Sequence, residues 1–179
     1  DYTPSPVVKV LRNYILQEDG SLWYRDSSGI LQKVQLTTAD GQITRAVDVV
    51  ESYGLHILDE NGDLYTESKN FMGSILTKRL SGIRRLISNY YYDTFALAED
   101  GTAWAFGNNG NHNSLCWGTL GVGDTERHTS DWCMVAIGDR IKDIYGNGDT
   151  TRFLTETGDL YVAGQFDSNG PYAEPKLIL

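Results

Sequence analysis

The chain has little of what several common protein classes require. Its two cysteines are too few for a disulfide framework. No apolar run approaches the ~18 residues needed to cross a membrane, so we expect no membrane insertion. The 15 Lys and Arg against 24 Asp and Glu give a net charge of −9. This charge disfavours nucleic acid as a partner, because nucleic acid requires a basic surface. No stretch shows a sustained helical period of apolar residues, and we predict almost no helix.

Signatures of catalysis are also missing. The Gly-x-Ser-x-Gly pattern of a nucleophilic serine does not occur. The glycines of Gly121-Val122-Gly123 lack the strand-then-helix context of a phosphate loop. Acidic pairs such as Glu18-Asp19 and Glu99-Asp100 recur at one place in successive repeats, where polar turn residues are expected. We therefore expect no enzyme and no cofactor.

One short motif, Leu-x-Glu-x-Gly, occurs four times. After each glycine the chain resumes with apolar and aromatic residues, as in Leu22-Trp23-Tyr24. A glycine in such a turn supplies the positive φ that lets two strands fold back on each other, so each copy predicts a β-hairpin. The four hairpins are centred on residues 16–24, 58–65, 97–106 and 154–163.

The spacing of these hairpins predicts the architecture. Their glycines, Gly20, Gly62, Gly101 and Gly158, lie 42, 39 and 57 residues apart, so the third repeat carries an insertion, at 107–133. Apolar segments that read as further strands lie upstream of each hairpin. About four short strands in ~40 residues match a propeller blade. We predict an all-β fold, a β-propeller of about four four-stranded blades in a single domain spanning residues 1–179.

The two ends of the chain suggest how a ring would close. The C-terminal segment 174–179 resembles the strand candidate 134–137, and the N-terminal Val7-Val8-Lys9-Val10 resembles the strand that follows it in the repeat. We predict that the two ends pair in one sheet, which would remove exposed edges. The alternative is that the chain forms part of a larger propeller.

The third repeat carries a family resemblance. It reads Phe95-Ala96-Leu97-Ala98-Glu99-Asp100-Gly101-Thr102-Ala103-Trp104-Ala105-Phe106-Gly107-Asn108-Asn109-Gly110 and resumes as Gly118-Thr119-Leu120-Gly121-Val122-Gly123-Asp124. This resembles the regulator of chromosome condensation (RCC-type) repeat of β-propellers. The typical ring of that family has seven blades, and residues 111–117 interrupt the motif here. The resemblance implies that repeat residues build the fold while loops particular to each member bind its partners. Nucleotide exchange does not follow from it.

The insertion at 107–133 holds the candidate site. Two of the four tryptophans lie in it, and aromatic and Arg side chains on a loop held by a rigid scaffold are typical of binding sites. The alternative is a loop that packs on its own blade with its tryptophans buried. The candidate binding residues are His112, Trp117, Arg127, His128, Asp131 and Trp132.

Two cysteines, Cys116 and Cys133, flank the second half of this insertion. They are candidates for a disulfide, and two free thiols are the alternative. With His112 and His128 they could in principle bind zinc, but the paired ligand spacings of zinc sites are missing, and we predict no metal.

We therefore predict a non-enzymatic recognition module that binds a protein or a cell-surface glycan through loops on one face, mainly 107–133. The alternative is a structural or assembly domain of a larger secreted, surface or viral machine. The chain begins with Asp1 and not with Met, so we expect a processed product, or part of a larger chain or complex. Its acidic charge and its excess of Tyr, Asn and Gly favour a secreted or surface-exposed location; a cytoplasmic location stays open.

Overall fold

The structure is a computed structural model that describes residues 5–39, 41, 45–67, 75–89, 93–110 and 117–179. In these residues the chain forms sixteen β-strands and no α-helix. The described residues accordingly contain no helix long and apolar enough to cross a membrane. The strands belong to two compact units, Asp1–Gly82 and Ile83–Leu179.

The first unit contains two antiparallel four-stranded sheets with strand orders β1-β2-β3-β4 and β5-β6-β7-β8. The strands of the first sheet are β1 (Val7–Val10), β2 (Tyr14–Gln17), β3 (Leu22–Arg25) and β4 (Leu31–Lys33). Those of the second sheet are β5 (Ala46–Glu51), β6 (Leu55–Asp59), β7 (Leu64–Glu67) and β8 (Leu76–Leu80). The core of this unit contains Tyr14, Leu16, Leu22, Leu36, Ala46, Val49, Leu55, Ile57, Tyr65 and Leu76.

The second unit repeats this arrangement, with strand orders β12-β11-β10-β9 and β13-β14-β15-β16. The third sheet consists of β9 (Ile83–Ser88), β10 (Thr94–Ala98), β11 (Ala103–Gly107) and β12 (His128–Met134). The fourth consists of β13 (Ile141–Gly146), β14 (Thr150–Thr155), β15 (Leu160–Gly164) and β16 (Tyr172–Leu177). Phe95 and Phe153, both fully buried, meet edge to face with ring centroids 5.8 Å apart and join the third sheet to the fourth. The prediction of four four-stranded blades is confirmed.

The four predicted hairpins form the middle of the four sheets. Their turn glycines Gly20, Gly62, Gly101 and Gly158 all have positive φ, between 79° and 98°. The acidic residues before the glycines are turn residues, as predicted. The carboxylate of Asp100, for example, accepts a hydrogen bond from the backbone N–H of Thr102 at 2.8 Å.

The sheets differ from the prediction in how the ends of the chain pair. Each sheet is made of four consecutive strands, so the described residues show β1 in the first sheet and β16 in the fourth. The predicted pairing of the two ends in one sheet is therefore not found. The reason is that Leu31–Lys33 pairs with β3 and supplies the fourth strand of the first sheet, while Tyr172–Leu177 pairs with β15.

The third sheet differs from the prediction in the position of its last strand. The sequence predicted a strand at 134–137, after an insertion that continued to residue 133. The structure instead forms β12 from His128 to Met134, with Cys133 opposite Ala105 and His128 opposite Gly107. The last six residues of the predicted insertion therefore belong to the sheet. Hydrophobic periodicity misses this strand because most of it is exposed and polar.

The turn glycines allow a matched test of the hairpin geometry. A Cβ on Gly101 would lie 2.7 Å from the Cβ of Arg140, whereas a Cβ on Gly158 would meet no atom within 4 Å. Both substitutions impose a left-handed conformation on alanine, which costs about 1–2 kcal/mol. We expect Gly158→Ala to lower the free energy of unfolding by that amount and Gly101→Ala to lower it further. Urea denaturation measures both, and equal losses would contradict the predicted clash with Arg140.

Candidate functional site

The candidate site consists of residues 117–127 of the insertion together with β12. One buried residue fixes its path. Asn109, which follows β11, is fully buried and has a φ of 56°, a left-handed conformation that asparagine tolerates better than most residues. Its side-chain amide donates to the backbone oxygens of Asp124, at 2.9 Å, and Glu126, at 2.8 Å. Its Oδ1 accepts the N–H of Leu120 at 2.8 Å.

The backbone of Asn109 holds the same segment at its beginning. Its carbonyl oxygen accepts hydrogen bonds from the N–H groups of Trp117, at 2.9 Å, and Gly118, at 3.1 Å. One asparagine therefore binds the segment near both of its ends. A loop held in this way presents its exposed side chains in a defined geometry and loses less conformational entropy when it binds a partner.

A buried carboxylate supports Asn109 in turn. Asp93 is fully buried immediately before β10, and it accepts hydrogen bonds from the N–H of Asn109, at 3.1 Å, and from the hydroxyl of Thr119, at 2.5 Å. The amide of Asn89 donates to it at 3.1 Å. Burial raises the pKa of Asp93 to about 6, although these hydrogen bonds favour the ionised form.

His128 connects the loop to β12. Its Nε2 lies 2.9 Å from Oδ1 of Asp124, and its Nδ1 lies 3.0 Å from the sulfur of Cys133. Burial acts to raise the pKa of Asp124, but hydrogen bonds from His128 and from the N–H of Glu126 lower it below its ordinary value. The site thus contains a cysteine, a histidine and an aspartate in one hydrogen-bonded chain.

The structure separates the predicted binding residues into exposed and buried ones. Arg127 and Asp131 are exposed, Trp117 and His128 are partly exposed, and all four belong to the loop or to β12. Trp132 is only 9% exposed and packs on Phe106, with ring centroids 5.4 Å apart. The alternative of a buried tryptophan therefore describes Trp132, which is buried while the preceding Asp131 is exposed.

Two of the predicted residues, His112 and Cys116, lie outside the described residues. Cys133 is a partly buried residue with no disulfide partner in the part of the chain that the structure describes. The disulfide between the two cysteines therefore stays a prediction. Among the described residues no three His, Cys, Asp or Glu side chains are grouped so that they could hold a metal ion.

Sequence reasoning missed the residues that organise the site, which are Asp93, Asn109, Thr119 and Asp124. Three of them lie in the segments that carried the family resemblance, but that resemblance assigned them only to the fold. Asp93 precedes a strand in the sequence and has no local signal of its own. Its role depends on contacts with residues 16 and 26 positions away.

Comparisons with known proteins support the fold and leave the function open. Neither a protein-family model nor a curated protein sequence matches the chain. Among solved structures, human WBSCR16 is similar at 14% identity and a TM-score of 0.64, over 92% of this chain and 49% of that one. A structure of Kap60 bound to yeast RCC1 (Prp20) is similar at 17% identity and a TM-score of 0.63, over 93% and 48%.

The structure of Prp20p from Saccharomyces cerevisiae gives a comparable match, with 17% identity and a TM-score of 0.63 over 92% of this chain and 49% of that one. The chain thus spans about half the length of these similar structures. At such identities the likeness establishes the fold alone. The similar structures include RCC1 itself, and the four sheets of this chain resemble propeller blades.

The buried carboxylate of Asp93 predicts a pH dependence of stability. Because its pKa is raised from 3.8 to about 6 in the folded state, the folded chain holds a proton that the unfolded chain releases. The stability from this group is therefore full below about pH 4 and is lost as the pH rises through 6. Relative to Asp93→Asn, we expect the wild type to lose up to about 3 kcal/mol of unfolding free energy between pH 4 and pH 7.

Asp100→Asn is the matched control. Asp100 is exposed, and the backbone N–H of Thr102 lowers its pKa, so its contribution has the opposite sign and is lost as the pH falls. Urea denaturation at a series of pH values measures both variants. A difference between wild type and Asp93→Asn that stays constant with pH would contradict the buried, titrating carboxylate.

Proposed function

We propose that this chain is a protein-recognition module and that its partner contacts the surface formed by Trp117, Arg127 and Asp131, which we call the insertion surface. The observation that carries the proposal is the attachment of the loop to Asn109. Six hydrogen bonds between this one buried residue and the loop hold residues 117–126. The first half of this loop is buried, with Leu120 in the core of the second unit, and its second half, residues 123–127, is mostly exposed. The same hydrogen bonds that hold the buried half therefore preorganise the exposed half for binding.

The side chains of the insertion surface suit a protein partner. Tryptophan and arginine are enriched among the residues that dominate protein–protein binding energy. Arg127 and Asp131 carry opposite charges, which allows complementary pairing with a partner and thereby specificity. β12 is an edge strand of the third sheet, so its outer backbone groups could also pair with an extended segment of a partner.

The similar structures favour a protein over a glycan. One of them is Kap60 bound to yeast RCC1 (Prp20), and Prp20p has binding properties to Gsp1p and histones. These partners belong to those proteins, and this chain spans about half their length. We carry over only the class of partner, which is protein, and we propose no catalytic activity.

A structural role is the second candidate. The half-length match to the similar structures favours a chain that acts as one part of a larger assembly. We propose a secreted or surface-exposed location for this assembly, which the composition of the sequence favours. In that case the insertion surface would contact a neighbouring domain of the same assembly and not a separate partner.

A comparison of variants tests the recognition proposal. Four proteins would be immobilised: the wild type, Trp117→Ala, Arg127→Glu and Asp131→Lys. Each would be exposed to an extract of the source organism, and the captured proteins would be quantified by mass spectrometry. Each variant is expected to reduce capture of a specific protein at least tenfold, since residues that dominate an interface contribute about 2 kcal/mol or more. Melting temperatures close to that of the wild type would show that the fold is intact.

The control is Glu156→Lys, a charge reversal at an exposed turn of the fourth sheet. A protein retained by this control and lost by the three variants supports the insertion surface. Capture that is the same for all variants would refute it. Binding to an array of glycans and to no protein would identify a glycan partner instead.

A further inference from the structure

Cys133, His128 and Asp124 form a hydrogen-bonded chain that the recognition proposal does not use. The sulfur of Cys133 lies 3.0 Å from Nδ1 of His128. The other ring nitrogen, Nε2, lies 2.9 Å from Oδ1 and 3.2 Å from Oδ2 of Asp124. A thiol, an imidazole and a carboxylate in this order are the components of an activated cysteine nucleophile.

The carboxylate determines where the protons lie. An ionised carboxylate only accepts hydrogen bonds, so Nε2 of His128 carries the hydrogen that points to Asp124. In the neutral imidazole the other nitrogen, Nδ1, then has a lone pair, and the S–H of Cys133 donates to it. This tautomer, assigned from the hydrogen-bond network, is the one in which His128 can take the proton of the thiol.

The three groups are held by backbone and buried contacts. Asp124 accepts the N–H of Glu126 at 2.9 Å, and the amide of Asn109 lies 3.3 Å from its Oδ1. Cys133 and His128 both lie on β12, where pairing with Ala105 and Gly107 fixes their backbones. The orientation of His128 therefore depends on the same buried asparagine that holds the loop.

We propose that Cys133 is a reactive thiol that exchanges with small-molecule disulfides, and that His128, held by Asp124, is the base that takes its proton. The proton moves from the sulfur of Cys133 to Nδ1 of His128, and the thiolate attacks one sulfur of a disulfide R–S–S–R. A bond forms between Cys133 and that sulfur, and the second sulfur leaves as a thiolate. The leaving thiolate takes the proton from His128, so the products are Cys133–S–S–R and R–S–H.

The environment of the thiol makes it dependent on this base. Burial, and then the carboxylates of Asp124 and Asp131, raise the pKa of Cys133. At neutral pH the thiol therefore rests in the protonated form, which is a poor nucleophile. Proton transfer to His128 avoids an isolated thiolate next to two carboxylates, because the thiolate then faces an imidazolium ion.

The experiment uses the Cys116→Ser chain, in which Cys133 is the sole cysteine. The folded protein is mixed with oxidised glutathione, and the mixed disulfide is followed by intact-protein mass spectrometry from pH 5 to pH 9. Relative to this chain, His128→Gln is expected to slow the reaction at least tenfold at pH 7, within the range typical of general-base catalysis. It should also change how the rate depends on pH, because the group that takes the thiol proton is removed.

Two further variants complete the design. Asp124→Asn should slow exchange at pH 7 as well, because an amide at this position no longer requires the hydrogen to lie on Nε2. Glu99→Gln, which removes an exposed carboxylate at the turn after β10, should react at the rate of the Cys116→Ser chain. Circular dichroism establishes that each variant is folded, and Asp124→Asn keeps the test decisive if His128→Gln does not fold.

Two results would overturn the proposal. The first is an unchanged rate and pH profile in folded His128→Gln and Asp124→Asn, which would show that neither residue activates the thiol. The second is a reaction that occurs only after denaturation, which would show that Cys133 is a structural thiol beyond the reach of small disulfides. The protein-recognition proposal is independent of both results.

Discussion

A glycine in the left-handed conformation closes the central hairpin of each of the four sheets that the structure describes. The rest of each sheet depends on this turn, because the two strands that it joins are the most buried of the four, as in β10 with its five buried residues. The outer strands add to that hairpin and are more exposed. The four-fold repetition of one local constraint therefore produces four sheets of the same topology, and side chains from adjacent sheets then form the core of each unit.

The third sheet shows how a repeat can acquire a site without losing its fold. Its loop between β11 and β12 is long, and a buried hydrogen-bond network stabilises it together with the packing of Leu120 in the core. Asp93 holds Asn109, and Asn109 holds the loop. Buried polar groups are favourable only when they are hydrogen-bonded, so this network specifies one arrangement of the loop. The exposed residues of the insertion surface and the chain from Asp124 to Cys133 both depend on that arrangement.

This chain resembles RCC1-type propellers in the fold of its scaffold. Sequence identities of 14% and 17% with similar structures are compatible with many functions, because a propeller keeps its blades while its loops change. The described features from which we argue function lie in one blade. Function is therefore argued from the loop of the third sheet and from its side chains, and the fold contributes the rigid support.

The sequence by itself determined the local structure of this protein. The Leu-x-Glu-x-Gly motif predicted the four hairpins, and the apolar segments upstream of them predicted most of the other strands, because hairpin turns and strand periodicity are properties of neighbouring residues. Only the tertiary structure decided the pairing of the chain ends, the start of β12 at His128, the burial of Trp132 and the network of Asp93 and Asn109. Each of these depends on contacts between residues that are distant in the sequence. A local sequence pattern does not indicate which distant strand pairs with a given sheet edge, or which distant group accepts a given buried hydrogen bond.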